Sequence, residues 1–159
     1  MRLLSNLIKF VQLTSMKYGI DESHSLGHSL NVLHNVHEIY TASVHQYPYL
    51  AEQEPIFYTS AIIHDMRDRK YVDPEIGIRE INDVLYRKLK PYEIEGIKHI
   101  INTMSYSNVK ANGYPTLGKY QMAYHIVREA DLLSAYDFDR AIIYHMYKTN
   151  GDFFTPLKI

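Results

Sequence analysis

The stretch IFYTSAIIHD, residues 56–65, decides how this chain is interpreted, because an apolar run leads directly into His64 and Asp65. If a helix continues through it, His64, Asp65 and Asp68 lie on neighbouring positions of one face, since residues three and four apart are adjacent. A carboxylate buried without a partner is costly. We therefore expect a positive group to meet Asp65, and a divalent metal ion fits the imidazole beside it. Taken alone, a His-Asp pair is better explained by a structural histidine and a surface acid at a helix end.

Composition predicts one globular domain over residues 1–159, with a core from about 21 to 147. Of the 159 residues, 46% are hydrophobic and 22% charged, as in ordinary globular proteins. Seventeen basic residues face eighteen acidic ones, so no electrostatic footprint for duplex nucleic acid stands out. The chain has no cysteine, so any metal site must use the nitrogen and oxygen ligands of its nine histidines and its acids.

The hydropathy of the sequence predicts a protein that does not span a membrane. No apolar run approaches the roughly 20 residues that a membrane-spanning helix needs. The first residues, MRLLSN, lack the apolar core and the cleavage site of a signal peptide. We therefore expect a cytoplasmic protein without a membrane partner. The oligomeric state is open, with a homodimer as one possibility.

Apolar residues recur at helical spacing along most of the chain, which predicts an all-α, single-domain bundle of about six to seven helices. Gly19 is expected to end the first helix, and Asp21, Ser23 or Ser25 to cap the second. The third helix is expected to run from about residue 49 or 51 into the His-Asp pair. Asp73, followed by a proline, is a strong start signal for the fourth.

The second half of the chain continues this pattern. Pro91 opens a fifth helix. Residues 105–118 have the turn residues of a loop and no clear period, and they are long enough to cover a pocket or to form an interface. Helices are then expected over about 119–134 and 137–147. No alternating strand pattern competes with this interpretation.

Asp131 is a second acid in an apolar setting, between Ala130 and Leu132. Taken alone, it is best explained by a surface ion pair with Arg128, three residues earlier. The interpretation changes when Asp131 is combined with other side chains that lie on or beside apolar faces and carry metal-ligand atoms, namely His28, His64 and Asp65. Two imidazoles and two carboxylates suit Mn, Mg, Co, Fe or Zn better than a calcium cage.

These motifs resemble the HD-domain superfamily of metal-dependent phosphohydrolases. The similar segments are HSLNV (28–32), AIIHD (61–65) and READLL (128–133), and they occur in the family's order within a helical chain. The resemblance spans roughly residues 21–144. It implies a helical bundle of the HD-domain type that holds one divalent ion through His28, His64, Asp65 and Asp131.

The resemblance also suggests roles for residues beside the ligands. Asp68 lies where some members, including guanosine-tetraphosphate hydrolases and nucleotidases, have a glutamate that works with the attacking water. The substrate-binding residues that we predict are Arg67, Arg69, Lys70, Arg128 and His24. For any single basic residue of the 67–70 turn, a solvated surface charge is the better explanation, and the phosphate-binding role is predicted for the cluster beside a metal ion. His24 is one turn before His28, which also allows a ligand pair, although the resemblance favours His28.

The remaining histidines are interpreted as structural, with His99 the informative one. Dinuclear members of the superfamily add histidines between the central pair and the last aspartate. The apolar face of the fifth helix points almost directly away from His99, which favours one metal ion. The other histidines without an acidic context are His34, His37, His45, His125 and His145.

The expected activity is hydrolysis of a phosphomonoester or phosphodiester, on a small nucleotide, by a metal-activated water. The nucleotide part of this prediction comes mainly from the family resemblance. Two alternatives keep the fold. One is a dinuclear-iron oxygenase of the same superfamily, and the other is a non-catalytic nucleotide-sensing domain.

Overall fold

In a computed structural model, residues 2–136 are described, and they form seven α-helices without a strand. The helices are α1 (Arg2–Tyr18), α2 (Leu26–Ser43), α3 (Glu54–Ile63), α4 (Pro74–Leu85), α5 (Pro91–Thr103), α6 (Tyr106–Asn112) and α7 (Gln121–Ala135). Short 3-10 helices, Pro48–Gln53 and Gly118–Tyr120, lead into α3 and α7. The predicted all-α bundle is confirmed. The helix expected over 137–147 lies outside the described residues.

Several helix boundaries follow from local chemistry, as predicted. Gly19 follows α1 in the left-handed region, with φ of 62°, which a residue without Cβ adopts at little cost. The Asp73 carboxylate caps α4 by accepting from the amides of Glu75 and Ile76. Pro91 is the first residue of α5, where its missing N–H is not needed.

Two segments differ from the prediction. The third helix is divided into a 3-10 helix and α3, and α3 ends at Ile63, so His64 and Asp65 follow it rather than continue it. The expected loop at 105–118 contains α6, which begins where the Ser105 hydroxyl accepts from the amide of Asn108. No residue of α6 is buried, and a helix without a buried face has no apolar period to reveal it.

Helix α3 lies at the centre of the bundle and packs against α1, α2, α5 and α7. Seven of its ten residues are buried, and Phe57, Ile62 and Ile63 have no exposed surface. Because α3 is anchored on several sides, the residues directly after it are held in a fixed position within the fold. Among the described residues, no helix is both long and apolar enough to span a membrane.

The segment after α3 is packed tightly against α4 at Gly77. A Cβ atom added to Gly77 would lie 2.8 Å from Arg67 Cβ and 2.9 Å from Arg67 Cα. The second contact is with backbone, so it cannot be relieved by rotating a side chain. Only glycine therefore lets α4 approach the turn that follows His64 and Asp65 this closely.

We expect Gly77→Ala to lower the free energy of unfolding by about 1–3 kcal/mol, because overpacking displaces the backbone at Arg67. Urea unfolding measures this change. The matched control is Gly27→Ala in α2, where a Cβ meets no atom within 4 Å, and alanine there should leave stability unchanged or raise it by up to about 1 kcal/mol. Equal stability of Gly77→Ala and the natural protein would contradict this close packing.

Candidate metal centre

Four side chains from three separate parts of the chain converge beside the end of α3. His28 lies in the first turns of α2, His64 and Asp65 follow α3, and Asp131 lies in α7. The two histidines are buried, and the two aspartates are half-buried. Packing of α2 and α7 against α3 brings together residues that are far apart in sequence.

The distances between their ligand atoms are short and similar. His28 Nε2 lies 3.1 Å from His64 Nε2. Asp65 Oδ2 lies 3.3 Å from each of these nitrogens. Asp131 Oδ1 lies 3.2 Å from His28 Nε2 and 3.4 Å from His64 Nε2. Both carboxylates therefore face the same pair of imidazole nitrogens.

This spacing fits a divalent metal ion. Neighbouring ligands bonded to one ion at about 2.0–2.3 Å are roughly 2.8–3.3 Å apart in octahedral geometry and roughly 3.3–3.8 Å apart in tetrahedral geometry. Asp65 Oδ2 is buried, and it makes no hydrogen bond with any residue of the described part of the chain. A cation between these atoms would give that oxygen a partner. The residues present thus fit the group that the sequence predicts.

The tautomer of His64 is fixed by its second nitrogen. Nδ1 lies 2.8 Å from the carbonyl oxygen of Ala61, and because a carbonyl only accepts, Nδ1 carries the proton and donates. In the neutral ring, Nε2 then presents its lone pair to His28, Asp65 and Asp131. A hydrogen bond from the distal nitrogen to a backbone carbonyl is the usual way to orient a metal-ligating histidine.

The ionisation of the cluster reflects its charges. Burial raises the pKa of Asp65 and of Asp131, but the nearby imidazoles outweigh it, so each carboxyl has a pKa below its ordinary value. Burial lowers the pKa of His64, and the two carboxylates reverse this and raise it well above the ordinary value. Two ionised carboxylates directed at one buried point favour positive charge there, whether a proton or a metal ion supplies it.

A hydrogen-bond network beside the cluster positions His24. Asp21 accepts from the Ser23 amide at 2.9 Å, from the Ser23 hydroxyl and from the hydroxyl of Tyr71. His24 Nδ1 lies 2.7 Å from Ser23 Oγ, and the His24 ring centroid is 6.3 Å from that of His28. His24 is thus a neighbour of the candidate ligand His28, and its role as a substrate contact stays a prediction.

The same network corrects the expectation for the start of α2 and changes the ionisation of its members. Ser25 precedes α2, but its side chain makes no capping hydrogen bond, and the Asp21 carboxylate is used by Ser23 and Tyr71 instead. Burial and the hydrogen bond to Asp21 raise the pKa of Tyr71 to about 12. Burial raises the pKa of Asp21, but hydrogen bonds from Ser23 and Tyr71 bring it well below its ordinary value.

Asp68 does not share a helical face with His64, because α3 has already ended. Its Oδ1 accepts from the backbone amide of Lys70 at 2.9 Å, and its other oxygen has no hydrogen-bond partner among residues 2–136. Arg67 is half-buried, whereas Arg69 and Lys70 are exposed. The catalytic role of Asp68 and the substrate contacts of this turn remain predictions.

The alternative ion pair between Asp131 and Arg128 does not form. Asp131 faces the histidines, and Arg128 Nη1 is instead 3.5 Å from Glu129 Oε1. The guanidinium lies over the ring of Tyr114, with 5.3 Å between its carbon and the ring centroid. The sequence carries no signal for this contact. Tyr114 belongs to an irregular segment, and helical spacing predicts contacts only between residues of one helix.

The other histidines do not form a second cluster in the described part of the chain. The one group of three or more metal-ligating residues found there has its ligand atoms within 4.8 Å of one another, and it consists of His28, His64 and Asp65. Asp131 lies outside this group of three, although its Oδ1 is 3.2 Å from His28 Nε2 and 3.4 Å from His64 Nε2. His99 is exposed on α5, as predicted, which favours a single ion. His145 lies outside the described residues.

Comparisons of this chain with protein-family models, with curated proteins and with solved structures found no match. The geometry of the site and the resemblance of its motifs are therefore the two observations that bear on function. Of the two, the geometry is independent of any relative.

Proposed function

We propose that this chain is a metal-dependent phosphohydrolase that cleaves a phosphomonoester or phosphodiester of a small nucleotide. The observation that carries the proposal is that two carboxylate oxygens each lie 3.2–3.4 Å from two imidazole nitrogens, which are themselves 3.1 Å apart. Such a mixed set leaves coordination positions for water and substrate. The resemblance of the three motifs to the HD-domain superfamily supports the same activity.

The four proposed ligand residues supply two negative charges and a set of nitrogen and oxygen donors, which suit Mn, Mg, Co, Fe or Zn. When bound, such an ion polarises a phosphoryl oxygen and lowers the pKa of a water toward neutrality. The protein's own part is to fix the donors: α2, α3 and α7 hold them in place, and the Ala61 carbonyl orients His64. Preorganised donors avoid reorganisation during the reaction.

Asp68 is proposed to orient the attacking water or to accept its proton. The Lys70 amide holds one of its carboxylate oxygens at 2.9 Å, which leaves the other available as an acceptor. A general base of this kind contributes about 10²–10⁴-fold to the rate. Aspartate is one methylene shorter than the glutamate of the similar family members. The point to test is therefore whether the Asp68 carboxylate reaches the attacking water.

The basic residues of the turn after Asp65 are proposed to bind phosphate oxygens. Arg67 is held at the surface of α4, with its Nε buried and without a hydrogen bond among the described residues. Arg69 and Lys70 are exposed and therefore accessible to a substrate. Positive charge at this position would offset negative charge that develops on the transferred phosphoryl group.

Metal analysis together with a phosphatase panel tests the proposal. We expect Mn²⁺ or Co²⁺ at about 100 times its Kd to stabilise the fold by about 2.7 kcal/mol, which is a melting-temperature increase of roughly 10 °C for a domain of this size. Phosphate should be released from at least one nucleotide of the panel. The control is the same protein with excess chelator, which should show neither effect.

Three results of this test separate the alternatives. A protein that binds Mn²⁺ or Co²⁺ but releases phosphate from no nucleotide of the panel would contradict the phosphohydrolase. Nucleotide-induced stabilisation without turnover would indicate a sensing domain. About two irons per chain, with activity that disappears without oxygen, would indicate the dinuclear oxygenase.

A further inference from the structure

Arg128 is a buried cation whose hydrogen-bonding capacity is largely unused. Its side chain is 8% exposed, and its ion pair is a long one, 3.5 Å, to Glu129, whose side chain is 57% exposed. Its Nε is buried and makes no hydrogen bond with any residue from 2 to 136. Burial of a guanidinium without full hydrogen bonding is unfavourable, so the arrangement is suited to a ligand that supplies the missing acceptors.

Tyr114 covers one face of this guanidinium. The ring centroid is 5.3 Å from the guanidinium carbon, and the ring is itself in edge contact with Tyr124 and His125. A cation stacked on an aromatic face keeps its N–H donors in the plane, directed outward. The edge that carries Nε and the adjacent Nη is therefore a pair of parallel donors, which matches two oxygens of a phosphate.

The position of Arg128 relates this donor pair to the metal centre. Arg128 is three residues before Asp131 on α7, so the two side chains lie on neighbouring positions of the helix. Long helical side chains lean toward the helix N-terminus. The backbone positions of the two residues are separated by about 4.5 Å along the axis of α7, because each residue rises about 1.5 Å.

We propose that Arg128 binds a second phosphate group of the substrate, next to the phosphate at the metal centre. The preferred substrate is then a nucleotide with at least two phosphates rather than a monophosphate. Release of its terminal phosphate forms a bond from the water oxygen to phosphorus and breaks the phosphoanhydride bond, so the bridging oxygen leaves with the shortened nucleotide, and the proposed ester hydrolysis is extended to an anhydride. Tyr114 acts as a positioning residue, because its ring holds the guanidinium plane. This inference rests on the proposed function, which places the reacting phosphate beside His28, His64, Asp65 and Asp131.

The first test measures binding of inorganic pyrophosphate and of inorganic phosphate to the chelated full chain by calorimetry. Arg128→Gln removes both charge and donor pair, and it should weaken pyrophosphate binding about 10- to 100-fold. Arg128→Lys keeps the charge but loses the parallel donors, so an intermediate loss is expected. The control is Arg79→Gln, an exposed arginine of α4, which should leave pyrophosphate binding unchanged.

A stability measurement distinguishes a loss of pyrophosphate binding from a loss of folding. Since Arg128→Gln removes an incompletely paired buried charge, its melting temperature without ligand should equal or exceed that of the natural protein. If the protein is folded and binds pyrophosphate as tightly as before, the proposal is overturned. The same conclusion follows if Arg79→Gln weakens binding as much as Arg128→Gln, because the effect would then be general electrostatics.

The second test asks whether the bound anion belongs to the substrate. With Mn²⁺ present, Arg128→Gln should lower kcat/KM for adenosine diphosphate about 10- to 100-fold and change that for adenosine monophosphate little. Equal effects on the two nucleotides, with pyrophosphate binding still lost, would overturn the proposal and indicate a site for a separate anion. If neither nucleotide releases phosphate, the proposed function fails, and the pyrophosphate titration still decides whether Arg128 binds a diphosphate.

Discussion

Asp131→Ala is expected to abolish retention of a divalent ion and, with it, hydrolysis. The Asp131 carboxylate faces both histidine nitrogens at 3.2 and 3.4 Å, so its removal takes away one of four donors and one of two negative charges. Loss of residues that merely orient a ligand weakens metal binding about 10- to 100-fold, and loss of the ligand itself should exceed this. Metal content after dialysis and calorimetric titration with Mn²⁺ measure the effect.

The matched control is Asp83→Ala, which removes an exposed carboxylate from α4. It should bind the ion and turn over substrate as the natural protein does. Asp65→Ala should reproduce the loss seen with Asp131→Ala, since both carboxylates face the same imidazoles. Stoichiometric metal together with normal turnover in Asp131→Ala would remove the basis of the proposed centre.

The parts of this fold that sequence predicts are those governed by local chemistry. The carboxylate of Asp73 accepts hydrogen bonds from the backbone amides two and three residues later. Gly19 adopts a positive φ at little cost because it has no Cβ atom. Apolar spacing similarly identifies α5, because its buried face is continuous. Each of these signals lies within a few residues of the feature it specifies.

The end of α3 was not predictable from such signals. No glycine or proline marks it. The His64 imidazole donates to the Ala61 carbonyl, and the Met66 amide donates to Ile63 in a tighter turn, so a side chain helps to determine where the helix stops. As a consequence, Asp68 lies in a turn. A continuous helix would have placed it on the same face as His64.

Contacts between loops were also missed, because periodicity reports only which face of an element is buried. The hydrogen bond from Tyr71 to Asp21 joins residues fifty positions apart, in segments without regular structure. The stacking of Tyr114 on Arg128 is of the same kind. The convergence of the four predicted ligand residues has equally little local signature. It was anticipated through the resemblance of short motifs, and the distances now support it independently.

Asp68→Asn is expected to retain the metal ion and lose about 10²- to 10⁴-fold in kcat. The amide oxygen of asparagine can still accept the Lys70 hydrogen bond, observed at 2.9 Å, so the turn should keep its conformation. What is lost is the negative charge and the basicity of the remaining oxygen. Metal content, steady-state kinetics and the melting temperature separate these effects, with unchanged values expected for the first and the last.

Two further variants decide whether the carboxylate itself is required. Asp68→Glu, which places the group found in the similar family members at this position, should recover activity relative to Asp68→Asn because it restores an ionised carboxylate. Asp83→Asn makes the same chemical change at an exposed position of α4 and should be fully active. If Asp68→Asn retained full activity, the proposed role of Asp68 would be wrong, and another group would have to orient the water.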